Sequence, residues 1–239
     1  MKKIADIHCH ILPYVDDGAE NLEETAALLD EEAAQGVRII CVTPHSRTGM
    51  FEVPDDDIRE YHEHVKEMAA YGKNPIRLIF SREYYCDSRF LKLLENGEVI
   101  PLGNGNSLLI EFSDRFNFET ICQRVKLVRQ HGYIPLIAHV ERYTAIHRKV
   151  ERVEKLVKMG ALIQLNAGSI LGRDGIWLKR FCYILMKKDL VHIVASDTHG
   201  VEFRPPELQL CANYIEKKFG ASYTEKVLWT APMNILRLL

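Results

Sequence analysis

Residues 2–45 read "KKIADIHCHILPYVDDGAENLEETAALLDEEAAQGVRIICVTPH", and the order of patterns in this stretch decides the fold. A β-branched run, Lys2 to His8, passes through a polar loop into a segment of helical period. A second β-branched run, Val37 to Thr43, follows. The helix has readable ends: Asn21 can cap it, Glu24 stands three residues on as in a capping box, and Gly36 follows its last turn. Strand, helix and strand in this order make a βα unit of a mainly parallel sheet.

The same pattern continues along the chain. Further strand-like runs are Ile76 to Ser81, Ser107 to Phe112, Tyr133 to His139, Ala161 to Ala167 and Val191 to Ser196. Helical segments run from about Asp55 to Tyr71, Phe118 to His131, Glu151 to Met159, Ile176 to Lys187 and Pro206 to Phe219. Several of the runs are apolar almost throughout, as in strands covered on both faces. No Pro-, Gly- or Ser-rich linker divides them, and no repeat appears. The expectation is an α/β chain forming a single domain over residues 1–239, a TIM-like barrel of seven βα units, with an open doubly wound sheet as the alternative.

Composition excludes several function classes. Hydrophobic residues make up 47% and charged residues 27% of the 239 positions, ordinary values for a globular protein. Lys plus Arg number 31 against 33 Asp plus Glu, so no basic excess points to nucleic acid. The basic start runs straight into polar residues without an apolar signal core, and no apolar run is long enough to enter a membrane. The chain reads as cytoplasmic. Its six cysteines show no C-x-x-C spacing and read as reduced thiols.

Polar residues fall at the strand ends. The first strand ends at His8 and His10, the second at His45, the third at Glu83, the fourth at Glu111, the fifth at His139, and the seventh at Asp197 and His199. Only the sixth, ending in "QLNAGS", lacks a ligand type. In a parallel barrel these ends meet at one face, where active sites are built. H-x-H puts two imidazoles on one side of a strand, and "SDTH" repeats the spacing with a carboxylate. Any one of these residues alone reads as an ordinary surface or hydrogen-bonded group. Together they read as a metal site, because buried charges must be paired or coordinated.

Imidazole with carboxylate and no thiolate suits zinc, manganese, iron or cobalt. So many donors suit two or three ions, and a loaded cluster of this kind attracts a phosphate dianion. Metal ions there can generate hydroxide near neutral pH and clamp an in-line displacement. Arg142, three residues past His139, and Arg204, five past His199, belong to loops on the same face and suit phosphate oxygens. The competing reading pairs them with Glu141 and Glu202 at the surface.

With these residues in view, the chain resembles the PHP (polymerase and histidinol phosphatase) superfamily. "HCHILPYVDDG", "TPH", "IEF", "AHVERY" and "ASDTH" with "RPP" are similar in particular to its metal-dependent protein-tyrosine phosphatases of bacterial capsule and exopolysaccharide clusters, and "HSRTGMFE" is similar to that branch alone. The resemblance runs from Asp6 to the C-terminus. It implies a distorted seven-unit barrel holding three divalent ions, usually manganese in assays, on His8, His10, Asp17, His45, Glu83, Glu111, His139, Asp197 and His199. It implies that Arg142 and Arg204 contact phosphate, that Glu83 bridges two ions, and that the substrate is the phosphotyrosine tail of a bacterial tyrosine kinase. In "VDDG" it selects Asp17 over Asp16, with Gly18 releasing the turn. "SRE" departs from the family's usual Gly-x-Glu.

Other readings stand beside this one. A small-molecule phosphomonoesterase such as a histidinol phosphatase would use the same ions, and a metal-stabilised kinase-binding module would use none of the chemistry. Loops 46–57 and 114–119 select the leaving group, with Tyr84, Tyr85, Phe51 and Phe116 as aromatic candidates. "CVTPHSR" satisfies the C-x5-R spacing of cysteine phosphatases, but Pro44 removes a phosphate-binding N–H and Cys41 sits within a strand. His62 and His64 in "HEH" read as solvated helix surface, and His131, His147 and His192 lack strand-end placement.

Overall fold

The computed structural model describes residues 3–71 and 74–238. Lys2, the expected start of the first strand, lies outside them. The strands are β1 (Ile4–Cys9), β2 (Val37–Val42), β3 (His45–Ser46), β4 (Arg77–Phe80), β5 (Glu83–Tyr85), β6 (Ser107–Glu111), β7 (Ile134–Ile137), β8 (Leu162–Asn166) and β9 (Ile193–Ala195). The seven apolar runs give nine strands because two of them are interrupted. Thr43 and Pro44 part β2 from β3, where proline has no N–H for the ladder, and Ser81 and Arg82 part β4 from β5. The halves stay in line. Ser81 N–H donates to Val42 O (3.0 Å) and Glu83 N–H to Pro44 O (3.2 Å).

Every strand pairing is parallel. One sheet runs β1-β2-β4 and the other β3-β5-β6-β7-β8-β9. The last strand returns to the first at its C-terminal end. Cys9 bridges Thr198, His10 N–H donates to Thr198 O, and Asp197 N–H donates to His8 O, both at 2.9 Å. The sheet therefore curls into a distorted barrel of seven strand positions, and the open doubly wound alternative falls away.

The helices are α1 (Leu22–Ala34), α2 (Asp55–Tyr71), α3 (Ser88–Asn96), α4 (Phe118–Gln130), α5 (Val150–Lys158), α6 (Ala167–Leu171), α7 (Ile176–Lys187), α8 (Leu208–Phe219), α9 (Ala221–Glu225) and α10 (Ala231–Leu236), with a π turn at Lys226–Thr230. Asn21 caps α1 by accepting from Glu24 N–H (2.9 Å). Glu24 does not complete the expected box. Its carboxylate accepts from Glu20 N–H (2.9 Å) and from Val201 N–H (3.2 Å), which ties α1 to the loop after β9. The sequence pattern missed α3, α6 and everything from 221 onward. The cap of α3 was written in plain form, with Asp87 accepting from Phe90 N–H (3.0 Å) and Gly97 closing at φ 71°.

Two apolar cores result. The larger lies between sheet and helices, and the smaller fills the barrel with Ala5, Ile7, Cys41, Leu109, Leu136 and Ile193. Met233 and Leu236 of α10 join the inner core, and Asn104 N–H donates to Leu236 O (3.0 Å) ahead of β6. The C-terminal segment thus plugs the end of the barrel where the strands begin. The opposite end carries the polar residues.

Candidate metal centre

Parallel strands that share one direction deliver their C-terminal residues to one place. Glu83 stands at the centre of that place with no exposed surface. Its Oε2 lies 3.3 Å from His8 Nε2, 3.4 Å from His10 Nε2 and 3.0 Å from His45 Nδ1, and its Oε1 lies 3.1 Å from His139 Nε2. Asp197 Oδ1 lies 3.3 Å from His8 Nε2 and 3.6 Å from His10 Nε2. Glu111 approaches His139 at 3.9 Å and His45 at 4.0 Å. Asp17, half exposed at the rim, reaches His45 Nε2 (3.4 Å) and His199 Nε2 (3.5 Å). The fold brings all nine residues singled out in the sequence into one cluster.

The imidazoles are aimed as well as gathered. His10 Nδ1 faces Asp16 Oδ2 at 2.8 Å, His8 Nδ1 faces Gln164 Oε1 at 3.2 Å, and His199 Nδ1 faces the Asp197 carbonyl at 2.9 Å. Each outer nitrogen is taken, which leaves Nε2 of His8 and His10 facing each other across the cluster at 3.1 Å and Nε2 of His199 3.2 Å from Arg204 Nη1, an arrangement of the kind that outer-shell partners give a metal-bound histidine. Strained backbone completes the aim. His139 has φ 31° and Asp197 φ 54°, left-handed values that a non-glycine residue adopts only where its surroundings hold it.

Burial and mutual charge oppose each other here. Burial works to raise the Glu83 carboxyl, but the His8 and His45 imidazoles and hydrogen bonds from His10 and His139 hold it well below the usual carboxylate range. Burial works to lower His139, and the Glu83 carboxylate outweighs it and pushes this imidazole up to about 9. Burial raises Glu111, and the Glu83 charge beside it adds to the rise.

The donor set fits metal ions. His45 Nδ1, Glu83 Oε2 and Glu111 Oε2 are buried and lack a hydrogen bond of acceptable geometry. Within the cluster, four triads of described residues have ligating atoms within 4.8 Å of one another: His10, His45 and His199; His8, His10 and Asp197; His8, Glu83 and His139; His45, Glu83 and Glu111. They overlap through His8, His10, His45 and Glu83, which suits adjacent ions sharing ligands. The profile of a capsular polysaccharide synthesis family, CpsB/CapC, matches residues 4–237. The chain belongs to the CpsB/CapC family.

Relatives within and beyond this family agree with the geometry. The tyrosine-protein phosphatase CpsB of Streptococcus pneumoniae is 36% identical over 236 residues, 97% of each chain. The tyrosine-protein phosphatase YwqE of Bacillus subtilis is 32% identical over 90% of this chain and 85% of its own. A structure from work on YwqE of Bacillus subtilis and CpsB of Streptococcus pneumoniae, described as unique metal-dependent tyrosine phosphatases, superposes with a TM-score of 0.89 at 30% identity, over 98% of this chain and 94% of that one. The phosphotriesterase homology protein of Escherichia coli shares the fold, with a TM-score of 0.66 at 11% identity over 97% of each chain.

A cavity of about 650 Å³ opens above the cluster. Arg142 and Arg204 line it. Arg142 Nη1 donates to Asp197 Oδ2 (3.2 Å), its Nη2 donates to Asp174 (3.2 Å), and Arg204 Nη1 lies 3.6 Å from Asp197 Oδ2. The partners of Arg142 are Asp174 and Asp197 and those of Arg204 are His199 and Asp197, while Glu141 is buried and accepts from Asn166 N–H (3.0 Å). Of the four aromatic candidates, Phe51 and Tyr85 line the cavity. Tyr84 is buried, its hydroxyl accepting from Ile100 N–H (2.8 Å), and Phe116 packs on the outer core.

Several functional residues had no signal at a strand end. Gln164 and Asn166 of β8, the strand without a ligand type, supply amides instead. Gln164 accepts from His139 N–H (2.7 Å), and Asn166 donates to Asp197. The polar pair inside an apolar run was the clue. Asp16 faces His10 Nδ1 (2.8 Å) and accepts from His45 N–H (2.9 Å), so both of these contacts hold histidines of the cluster in place. Gly18 is needed for closeness, not for a turn: a Cβ there would stand 2.1 Å from His10 O. At "SRE", neither Ser81 nor Arg82 has a positive φ. The buried Arg82 donates to His45 O and to Asp55, both at 2.8 Å, so the family's glycine is dispensable.

The remaining decoys resolve simply. Cys41 is fully buried in the inner core and burial pushes its thiol up, so it is no nucleophile. His62 corrects the expectation of a solvated face: it is buried on α2 against the Phe80 ring at 5.3 Å, and burial lowers its pKa. Helix α2 covers the barrel wall, so of the two histidines in "HEH" His62 is buried and His64 faces water.

Proposed function

We propose that this chain is a metal-dependent protein-tyrosine phosphatase, acting as a single unit over residues 1–239 in the cytoplasm on the phosphotyrosine tail of a bacterial kinase that governs polysaccharide export. The observation that carries this reading is the Glu83-centred cluster of imidazoles and carboxylates, edged by two guanidinium groups, in a chain whose full-length relatives are named tyrosine-protein phosphatases. His8, His10, Asp17, His45, Glu83, Glu111, His139, Asp197 and His199 would hold three divalent ions, manganese by preference, with iron, cobalt or zinc suited to the same donors. Such ions supply Lewis acidity toward phosphoryl oxygens and make water a nucleophile near neutral pH. Arg142 and Arg204 bind the remaining phosphoryl oxygens and stabilise the charge that builds on them. Asp197 holds both guanidinium groups at the edge of the cluster.

The test compares kcat/KM on a phosphotyrosine peptide and on histidinol phosphate with manganese present. The phosphotyrosine peptide is expected to be the better substrate, with activity lost in EDTA and untouched by thiol alkylation. Arg142→Ala is expected to cost about 10²- to 10³-fold in kcat, the scale of removing one charge-stabilising donor. A preference for histidinol phosphate would make the chain a small-molecule phosphomonoesterase. Binding of the kinase tail without turnover would make it a regulatory module.

A further inference from the structure

The cavity has an aromatic wall on the His45 side that the chemistry above leaves unused. Residues 47–51 fold back on themselves: Phe51 N–H donates to Arg47 O (3.2 Å), the two residues pair as an antiparallel bridge, and Gly49 turns at φ 73° between them. Thr48 N–H donates to Asp87 Oδ2 (3.1 Å) at the cap of α3, and Gly49 N–H donates to Glu52 Oε1 (2.8 Å). The segment is tied at both its tip and its base.

Its side chains turn to the cavity, which Arg47, Met50, Phe51 and Tyr85 line together. Phe51 lies flat against His45, with ring centroids 5.1 Å apart and planes 8° apart. The Arg47 guanidinium covers the Tyr85 ring at 4.2 Å and holds it in place. Met50 is 58% exposed, an apolar side chain at the mouth of an otherwise highly charged cavity. Both arginines that suit phosphate stand instead beside Asp197. A phosphoryl group held there leaves its ester substituent the His45 side, where the surface is flat, π-rich and soft.

We infer that Met50, Phe51 and Tyr85 form an aryl-binding wall that selects a planar aromatic phosphate ester over an alkyl one at the same phosphoryl site. A phenyl ring gains offset stacking on Phe51 and a sulfur contact from Met50, which an alkyl group of serine size cannot reach. Arg47 acts as a positioning residue through Tyr85. The inference rests on the phosphatase reading and names the residues that would make its leaving group aromatic.

Calorimetry on the manganese-loaded chain tests it with two non-hydrolysable probes, phenylphosphonate and methylphosphonate. Wild type is expected to bind the phenyl probe about tenfold tighter. Phe51→Leu, which keeps an apolar group on His45 and removes the π face, is expected to cut that preference to about threefold or less. Met50→Ala, which removes the exposed thioether at the cavity mouth, is expected to halve that preference by weakening the phenyl probe. Binding of both probes with no phenyl preference, or a preference unmoved in both variants, overturns the wall and leaves the phosphatase reading intact. A wild-type chain that binds neither probe overturns the phosphoryl site and the phosphatase reading with it.

Discussion

Strand β1 meets buried titratable groups on both of its faces, and the two faces keep them in opposite company. On the barrel side, His8 and His10 meet Glu83 and Asp197 among further imidazoles, with Arg142 behind. On the helix side, Asp6 and Cys9 meet Glu32 of α1, their ligating atoms within 4.8 Å of one another and none of them cationic. Burial is complete on both sides. The outcome differs because burial favours the uncharged form unless a neighbour of opposite sign repays it. Burial works to raise Asp197, and the imidazoles outweigh it and hold it below the carboxylate range. Burial pushes Asp6 up to about 6 against the pull of its Ser196 hydrogen bonds. Burial also pushes Glu32 well above its ordinary value, with the Asp6 charge adding to the rise, and neither of its oxygens has a hydrogen-bond partner. The two faces thus differ in the sign of the groups around each buried carboxyl: imidazoles surround Asp197, and a second carboxyl faces Asp6.

Three substitutions test the difference between the two faces. The largest effect is expected from Glu83→Gln, which removes the charge that all four central imidazoles face while keeping the side chain's shape. It should cost at least about 10³-fold in kcat/KM, and elemental analysis should find fewer bound ions per chain. Wild-type metal content in this variant would show that the cluster does not depend on its central carboxylate. Asp16→Asn is next, expected to cost about 10- to 100-fold in metal affinity, since it leaves every ligand present and loosens the orientation of His10. Titration of the metal-free protein with manganese reads this directly.

The smallest effect belongs to the other face. The folded pKa of Glu32 lies above its unfolded value near 4.5. The native state therefore binds more protons than the unfolded state above that pH, and stability falls as pH rises toward the folded value. Glu32→Met, of similar volume and without charge, is expected to gain about 1–3 kcal/mol at pH 8, the scale of an unpaired buried polar group. The gain should be smaller at pH 5, and activity should stay within twofold. Urea unfolding at the two pH values measures it, and an equal gain at both would mean that Glu32 is not the group that titrates.

Much of this arrangement was legible in one dimension, for a physical reason. Parallel strands buried on both faces need nearly continuous apolar runs, so a histidine or acid at the end of each run stood out against them. His45, Glu111 and His139 could be found by position alone. Residues that act on the ligands rather than on the metal were hidden, because hydrogen bonds between strands have no fixed spacing in sequence. Gln164, from a strand without any ligand type, serves His8 and His139, which lie 156 and 25 residues away. His62 was misread because a helix shows its period but not which neighbour covers it. Helix α3 has its capping pattern in the sequence, but only Cys86 and Asp87 part it from β5, so no loop marks its start.

Residue type and periodicity alone, both of them local, placed the seven apolar runs and most of the long helices between them, the barrel end at which polar residues gather, and the chemistry of the donors. Three-dimensional packing settles which nitrogen of each imidazole faces the cluster, that Asp16 meets His10 Nδ1 and the His45 N–H while Asp17 reaches His45 and His199 Nε2, and that Asp6, Cys9 and Glu32 come together on the helix side of β1. Those outcomes depend on distances between strands and on the charge of whatever lies within a few ångströms, and chain folding alone sets both.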